Sequence, residues 1–315
     1  MVERGTEYVG RLAPSPTGLI HLGIARTSLA AWLDARAHHG RLVLRIEDID
    51  RRRCRDEAEP EIRRDLEWLG LDWDEGPARG GPAGPYRQQD RFAIYREALD
   101  RLQAEGRTFR CTCSRKEIAR AASAPHGPSD EGPRYPGTCR DQFRPREGRQ
   151  PSVRLRTEPG EVVTHEDRRV GVLDQDVHGR VGDFVLARSD GMWAYQMAVT
   201  VDDLEQGITC IVRGDDLATS TPRQLLLRRL LRPDAPSMAT LHLPMMCDEH
   251  GERLAKRSGS TTVAAYHESG HRPEDVIGQL AEGLGLGDGT AVRPAELIDA
   301  WRARYLPTDG VPPST

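Results

Sequence analysis

The sequence lacks the features that membrane, secreted and disulfide-rich proteins need. No apolar run approaches the roughly 18 residues of a membrane-spanning helix, and the charged, proline-containing start leaves no apolar stretch for a signal peptide. Six cysteines are few for 315 residues, which excludes a disulfide scaffold. Hydrophobic residues make up 37% and aromatic residues 5% of the chain. This composition predicts a polar, cytoplasmic enzyme with about two domains.

Lysine is almost absent. Only two of the 45 basic residues are lysines, Lys116 and Lys256, and the formal net charge is −4, which excludes an overall positive field but not a local basic face. Lysine carries a compact ammonium that approaches one phosphate oxygen as a point charge. A Gly-containing basic loop is usually a solvated loop, but the retained lysine favours a phosphate contact for Lys256.

Apolar spacing predicts alternating strands and helices. Strand–helix–strand order with short links predicts a parallel sheet with right-handed crossovers. The Pro- and Gly-rich stretch 121–151 indicates an irregular insertion, and Asp190-Gly191 a hairpin turn. The predicted strands are 7–12, 41–46, 152–156 and 182–188, and the predicted helices are 24–38, the segment around 62–69, 89–105, 222–232, 273–284 and 294–304.

The segment RLAPSPTGLIHLG, residues 11–23, lies between a predicted strand and a predicted helix. Parallel sheets bind ligands at such turns, and a helix N-terminus offers N–H groups to a phosphate. Gly18 and Gly23 allow the backbone to approach a nucleotide, and His21 offers a donor. A lone histidine is more often structural at such a turn, so its assignment depends on the surrounding motif.

Three cysteines cluster in the insertion. Cys111 and Cys113 are one residue apart, and Cys139 follows Tyr135 by four. Thiolates in a short segment without periodic apolar residues favour a fold held together by zinc. The fourth ligand is either Tyr135 or His126, and the alternative is a set of reduced cysteines that only pack.

Five segments in this order resemble the catalytic core of the glutamyl-tRNA synthetases, a class I aminoacyl-tRNA synthetase family. They are RLAPSPTGLIHLG, RIEDID, YQMAVTVDD, VRGDDL and RLAKRSG. The first and last are similar to the two nucleotide signatures of that family. The resemblance implies an α/β fold: a Rossmann-type parallel sheet with an inserted zinc-containing subdomain and a short helical C-terminal region. It divides the chain into four parts. Residues 1–106 are the first half of the Rossmann domain, and residues 107–160 are the zinc-binding insertion. Residues 161–240 are an acceptor-binding insertion with the second half of the Rossmann domain, and residues 241–315 are the RLAKRSG loop and a helical C-terminal region without an anticodon-binding domain.

The resemblance also implies an activity, the ATP- and Mg²⁺-dependent activation of L-glutamate, and the residues for it. The implied catalytic residues are His21 and Lys256. ATP binding falls to His21, Gly23, Arg253, Leu254, Ala255, Lys256 and Arg257; glutamate binding to Arg11, Ala13, Ser15, Glu47, Tyr195 and Arg213; and zinc binding to Cys111, Cys113, Tyr135 and Cys139. Ile24, Ala255 and Arg257 depart from the family pattern, which predicts fewer contacts to ATP.

Only a short stretch follows the RLAKRSG loop, whereas glutamyl-tRNA synthetases continue into a helical anticodon-binding region. The chain therefore resembles their truncated paralogues, the glutamyl-Q tRNA(Asp) synthetases, which join glutamate to queuosine in the anticodon arm of tRNA(Asp). We expect a monomer whose RNA contacts include Arg51–Arg53 and the arginines of 140–156. The alternatives are a small glutamyl-tRNA synthetase that charges tRNA(Glu), a ligase that passes adenylated glutamate to an amine or a carrier protein, and an inactive regulatory paralogue.

Overall fold

Parallel strands form the centre of the fold. The computed structural model describes residues 7–55, 57–121, 134–246 and 262–306. Strands β1 (Val9–Leu12) and β2 (Arg41–Leu44) pair in parallel, connected by helix α1 (Leu22–Ala37). Both strands are buried almost throughout, as expected for strands covered on both faces.

The second half of the sheet lies beside β1. Strand β8 (Cys210–Gly214) pairs in parallel with β9 (Ala239–Leu243), and the backbone N–H of Thr209, just before β8, donates to the carbonyl of Val9 over 2.9 Å. Strand β5 (Val162–Asp167) follows β9 in parallel, and an antiparallel strand β6 (Gly171–Asp176) ends the sheet.

The inserted region forms a separate three-stranded antiparallel sheet of β3 (Thr108–Cys111), β4 (Ser152–Leu155) and β7 (Val185–Ala187), in this order. The other helices before β9 are α2 (Ala58–Trp68), α3 (Phe92–Ala104), α4 (Arg115–Ala121), α5 (Val177–Arg180), α6 (Tyr195–Glu205) and α7 (Thr221–Leu231).

Three helices, α8 (Val263–Glu268), α9 (Pro273–Glu282) and α10 (Ile298–Tyr305), close the described part of the chain. Helices α9 and α10 pack on α1, and Trp301 of α10 is fully buried in the main core, which also contains apolar side chains of α1 and β2. No helix in the described ranges combines the length and apolar character that crossing a bilayer requires.

The predicted parallel sheet and most predicted elements are confirmed, with shifted ends. The strand predicted at 182–188 shrinks to β7, and the helix predicted at 294–304 begins as a 3₁₀ turn before α10. The turn at Asp190-Gly191 is confirmed by an antiparallel bridge between Ala187 and Trp193. Described residues 134–151 contain no regular helix or strand, as predicted for the insertion.

Candidate active site and metal centre

A cavity of about 1360 Å³ opens where β1, β2 and β8 end. Because the carboxyl ends of parallel strands meet at one edge of the sheet, segments far apart in the sequence converge there. The structure brings eight of the predicted ATP- and glutamate-binding residues to the wall of this cavity: Arg11, Ala13, Ser15, His21, Gly23, Glu47, Tyr195 and Arg213.

The turn between β1 and α1 is fixed by backbone hydrogen bonds. The N–H of Glu47 donates to the carbonyl of Pro14 over 3.0 Å, and the carbonyl of His21 accepts from the N–H of Ala25 over 3.0 Å. The first turn of α1 contains no acidic side chain. A Cβ atom added to Gly23 would meet nothing within 4 Å. Open space therefore lies at a helix N-terminus whose N–H groups suit a phosphate.

Arg11 is a buried cation with unused donors. Its side chain is 5% exposed, and Nη1 donates to the carbonyl of Val212 over 3.1 Å. Its Nε lies 3.9 Å from Oδ1 of Asp203 and has no hydrogen-bond partner among the described residues. Burial lowers the pKa of Arg11, while Asp203 opposes this shift. A carboxylate entering the cavity would fill these donors and compensate the buried charge.

Glu47 is positioned by a second buried arginine. Arg45 has no exposed surface; its Nη2 donates to Oε1 of Glu47 over 3.0 Å, and its Nη1 donates to Oδ1 of Asp203 over 2.7 Å. Burial raises the pKa of Glu47 although Arg45 and Arg11 favour its ionised form. Burial and the neighbouring Glu47 also raise the pKa of Tyr195. An ammonium group beside Glu47 would favour the carboxylate.

The guanidinium of Arg213 donates four hydrogen bonds to neighbouring residues. It donates from Nη1 to Oε1 of Gln224 over 2.9 Å and from Nη2 to Oγ1 of Thr221 over 2.8 Å and to the carbonyl of Leu217 over 3.2 Å. Its Nε donates to Nε2 of His242 over 3.1 Å. These bonds engage four of the five guanidinium N–H groups. One N–H remains for a ligand, so Arg213 has no two free donors for a bidentate pair.

The predicted lysine loop falls outside the described residues. This applies to Arg253, Leu254, Ala255, Lys256 and Arg257. The chain that follows the loop returns to the turn before α1: Thr262 forms an antiparallel bridge with His21, and the N–H of Val263 donates to the carbonyl of Ile20 over 2.9 Å. The C-terminal end of the loop is therefore tied to the predicted nucleotide site.

Ile24 occupies the position where the family motif carries its second histidine. It lines the cavity, and its side chain is 39% exposed. An aliphatic side chain forms no hydrogen bond, so polar contacts at this end of α1 fall to His21 and the backbone.

Three predicted zinc ligands converge in the insertion. The sulfur atoms of Cys111, Cys113 and Cys139 lie within 4.8 Å of one another, and the Cys113 and Cys139 sulfurs are 3.7 Å apart. Two thiolates bound tetrahedrally to one zinc ion are separated by about 3.8 Å. The Tyr135 hydroxyl lies 3.3 Å from the Cys111 sulfur and 4.0 Å from the Cys113 sulfur. The donor set fits zinc, and His126, the other suggested ligand, lies outside the described residues.

The predicted RNA-contacting arginines divide into two groups. Arg51–Arg53 are exposed. Within 140–156, four arginines form ion pairs with acidic side chains of the same chain: Arg140 with Asp183 and Glu158, Arg146 and Arg149 with Glu117, and Arg156 with Asp141. Their charge is partly neutralised by the protein, which the sequence did not indicate.

The chain matches the family model of class I tRNA synthetases (E and Q), catalytic domain, over residues 7–288. It belongs to this family. The match confirms the resemblance inferred from the five motifs, and it agrees with the parallel sheet and with the cavity at its carboxyl edge.

Several relatives are similar over most of their length. The chain is 49% identical over 309 residues to the glutamyl-Q tRNA(Asp) synthetase of Symbiobacterium thermophilum, covering 96% of this chain and 94% of the relative. It is 46% identical to the glutamyl-Q tRNA(Asp) synthetase of Nitratidesulfovibrio vulgaris, covering 95% and 93%. Glutamate–tRNA ligase 1 of Halorhodospira halophila is 43% identical, but only 57% of it is covered.

A solved structure gives the same fold. The glutamate–tRNA synthetase of Elizabethkingia anophelis superimposes with a TM-score of 0.76 at 28% identity. The match covers 93% of this chain and 65% of that longer one.

Proposed function

We propose that this protein activates L-glutamate with ATP and transfers it to the queuosine base in the anticodon arm of tRNA(Asp). The observation that carries this proposal is the convergence of eight predicted ATP- and glutamate-binding residues on one cavity. Support for the acceptor comes from 49% identity to a relative named glutamyl-Q tRNA(Asp) synthetase, of which 94% is covered.

In the first step, a carboxylate oxygen of glutamate attacks the α-phosphorus of ATP, and pyrophosphate leaves. The protein contributes positioning and stabilisation of the charge that develops on the phosphoryl oxygens. We assign contacts with the phosphates to His21 and the N-terminus of α1, and also to Lys256, which lies outside the described residues. Mg²⁺ enters as part of the nucleotide substrate and neutralises charge on its phosphates.

Three side chains of the cavity match the three charges of glutamate. Arg11 offers unfilled donors to one carboxylate. Arg213 offers its remaining N–H to the other, and Glu47 faces the ammonium. Because these groups are buried and held by the fold, little reorganisation is needed when glutamate binds.

In the second step, an acceptor hydroxyl attacks the carbonyl carbon of the adenylate, and AMP leaves. We assign this hydroxyl to the cyclopentene-diol ring of queuosine. The cavity wall extends from the glutamate-binding residues to Ser114, Arg115 and Asp190 of the insertion and the β7 hairpin. Room for a base beside the adenylate is therefore available, and Zn²⁺ at Cys111, Cys113, Tyr135 and Cys139 would hold this wall in place.

The test is transfer of labelled glutamate, with ATP and Mg²⁺, onto two tRNA pools that differ only in queuosine. We expect label in the queuosine-containing pool alone, and no label when periodate has cleaved the diol before the reaction. Equal label in both pools would instead establish charging of a 3′ end. No label in either pool, with glutamate-dependent ATP–pyrophosphate exchange intact, would point to an amine or a carrier protein as acceptor.

Two arginine variants distinguish loss of the glutamate site from a general effect of losing an arginine. Arg11→Ala should abolish glutamate-dependent exchange, because a buried carboxylate of the substrate would lose its partner. Arg101→Ala, on the exposed face of α3, should keep wild-type exchange. Absence of glutamate-dependent exchange in the wild-type protein would contradict the proposal.

A further inference from the structure

Two buried side chains stand behind Arg213. His242 of β9 accepts the Arg213 Nε–H at its Nε2 over 3.1 Å, and its Nδ1 lies 2.6 Å from Oδ2 of Asp167 at the end of β5. Arg213, His242 and Asp167 are 4%, 0% and 2% exposed. The three residues form a continuous polar chain across neighbouring strands β8, β9 and β5.

The hydrogen bonds define the tautomer of His242. A carboxylate only accepts, so Nδ1 carries the proton toward Asp167, and the lone pair of Nε2 faces the Arg213 N–H. Burial lowers the pKa of His242 although Asp167 opposes this, so burial favours the neutral ring. A proton on Nε2 would instead face the Nε–H of Arg213, donor against donor.

Asp167 is itself fixed. Its Oδ2 accepts from Oγ1 of Thr240 over 2.6 Å, and its Oδ1 accepts from the N–H groups of Arg169 and Val170 over 3.0 and 2.9 Å. Burial would raise the pKa of Asp167, but the hydrogen bonds from His242 and Thr240 outweigh it, and the pKa lies well below its usual range. The carboxylate therefore has a single orientation toward the imidazole.

We propose that Asp167 and His242 are positioning residues for substrate glutamate, acting through Arg213. They present a lone pair to Nε, which fixes the plane of the guanidinium and directs its remaining Nη1–H at a glutamate carboxylate. This inference rests on the proposed function, because it requires that Arg213 binds glutamate. A merely structural pair would join β5 to β9 without affecting one substrate selectively.

The test compares Michaelis constants in ATP–pyrophosphate exchange. Asp167→Asn turns an amide N–H toward His242 and favours the wrong tautomer, so KM for glutamate should rise about 10- to 100-fold, as for other supporting partners of a binding group. KM for ATP should stay unchanged. His242→Gln keeps an acceptor at the position of Nε2 and should retain KM for glutamate within about threefold. His242→Asn keeps only a donor toward Asp167 and should resemble Asp167→Asn.

A matched control and a wild-type measurement complete the test. His165→Gln alters a histidine that contacts Thr240 at 2.7 Å but not Arg213, and it should keep both KM values. Nitrogen NMR of the wild-type protein should show a proton on Nδ1 of His242 and none on Nε2, whether or not any variant folds.

Three results would overturn the inference while leaving the proposed function intact. They are unchanged KM for glutamate in Asp167→Asn, a parallel rise of both KM values, and a protonated Nε2 in the wild-type protein. Lack of glutamate-dependent exchange in the wild-type protein would overturn the proposed function and, with it, this inference.

Discussion

Arg45 Nη2 donates to Glu47 Oε1 across 3.0 Å, so the carboxylate proposed to meet the substrate ammonium is held by a guanidinium with no exposed surface. The same guanidinium bonds Asp203 over 2.7 Å, which also lies 3.9 Å from the Arg11 Nε. One buried cation therefore orders the acidic and the basic end of the proposed glutamate site.

Replacing the guanidinium of Arg45 should weaken the binding of glutamate but not that of ATP. Arg45→Lys keeps the charge but loses the planar fork, and we expect KM for glutamate to rise about 10-fold or more, since one charge-assisted hydrogen bond contributes about 1.5–3 kcal/mol. KM for ATP should not change. Arg91→Lys is the control, because Arg91 bonds the neighbouring Asp202 over 2.6 Å without contacting Glu47. Equal effects of both variants would contradict the assignment.

Asp34 of α1 connects distant parts of the fold. Its carboxylate accepts two hydrogen bonds from Arg168, at 2.9 and 2.5 Å, and one from Trp301 Nε1 at 3.0 Å. Asp34 is fully buried. Asp34→Asn leaves the Arg168 charge without its partner, and the free energy of unfolding should fall by about 3–5 kcal/mol.

An aspartate with the same kinds of partner provides the control. Asp72 accepts from Trp32 Nε1 over 2.7 Å and from Arg36 over 3.1 Å, but its side chain is 59% exposed. Asp72→Asn should cost less than about 1 kcal/mol. Chemical denaturation measures the free energy of unfolding of both variants. A similar loss of this free energy in Asp34→Asn and Asp72→Asn would contradict a dominant role of burial.

The sequence predicted those elements that have a regular spacing of apolar residues or characteristic turn residues. The helices α1, α3 and α9 follow from apolar spacing, and the site turn from its Pro, Gly and His residues. The β5–β6 hairpin was missed because its strands are polar and β6 buries no continuous face. Its position depends instead on the pairing of Asp167 with Thr240 of β9.

The same limit applies to the site. The motifs predicted the residues that bind ATP and glutamate, and eight of these residues line one cavity. Arg45, Asp203 and His242 were not singled out, because the Arg45–Asp203 and His242–Asp167 pairs join residues that lie 158 and 75 positions apart in the sequence. An arginine directly after the apolar run 42–44 was the available signal for Arg45.

Asp65 of α2 gives a pH dependence of stability. Burial raises its pKa from 3.8 to about 6, although the N–H of Ile20 favours the ionised form. The native protein then binds a proton that the unfolded chain has released, so stability is lost as pH rises from about 4 to about 6. Asp65→Asn should remove this contribution and raise the free energy of unfolding at pH 7. A difference between variant and wild-type protein that stays constant over this pH range would contradict the prediction.

The cysteine cluster should bind about one zinc ion per chain. Cys113→Ser and Cys139→Ser should lose the metal and lower Tm, because metal binding and folding of such a small region are coupled. Cys54→Ser, outside the cluster, should keep the metal and the wild-type Tm.

Tyr135→Phe tests the fourth ligand. It retains the ring under Arg154, 4.1 Å from the guanidinium carbon, and removes only the oxygen. Zinc affinity should then fall at least 10-fold, whereas the apo protein should lose only the Tm contribution of the hydrogen bond that the Tyr135 oxygen accepts from the Cys139 N–H over 2.8 Å. Metal analysis and competition with a chelator measure this: unchanged affinity would exclude tyrosine as the fourth ligand, and zinc-free wild-type protein after purification without chelator would exclude the site.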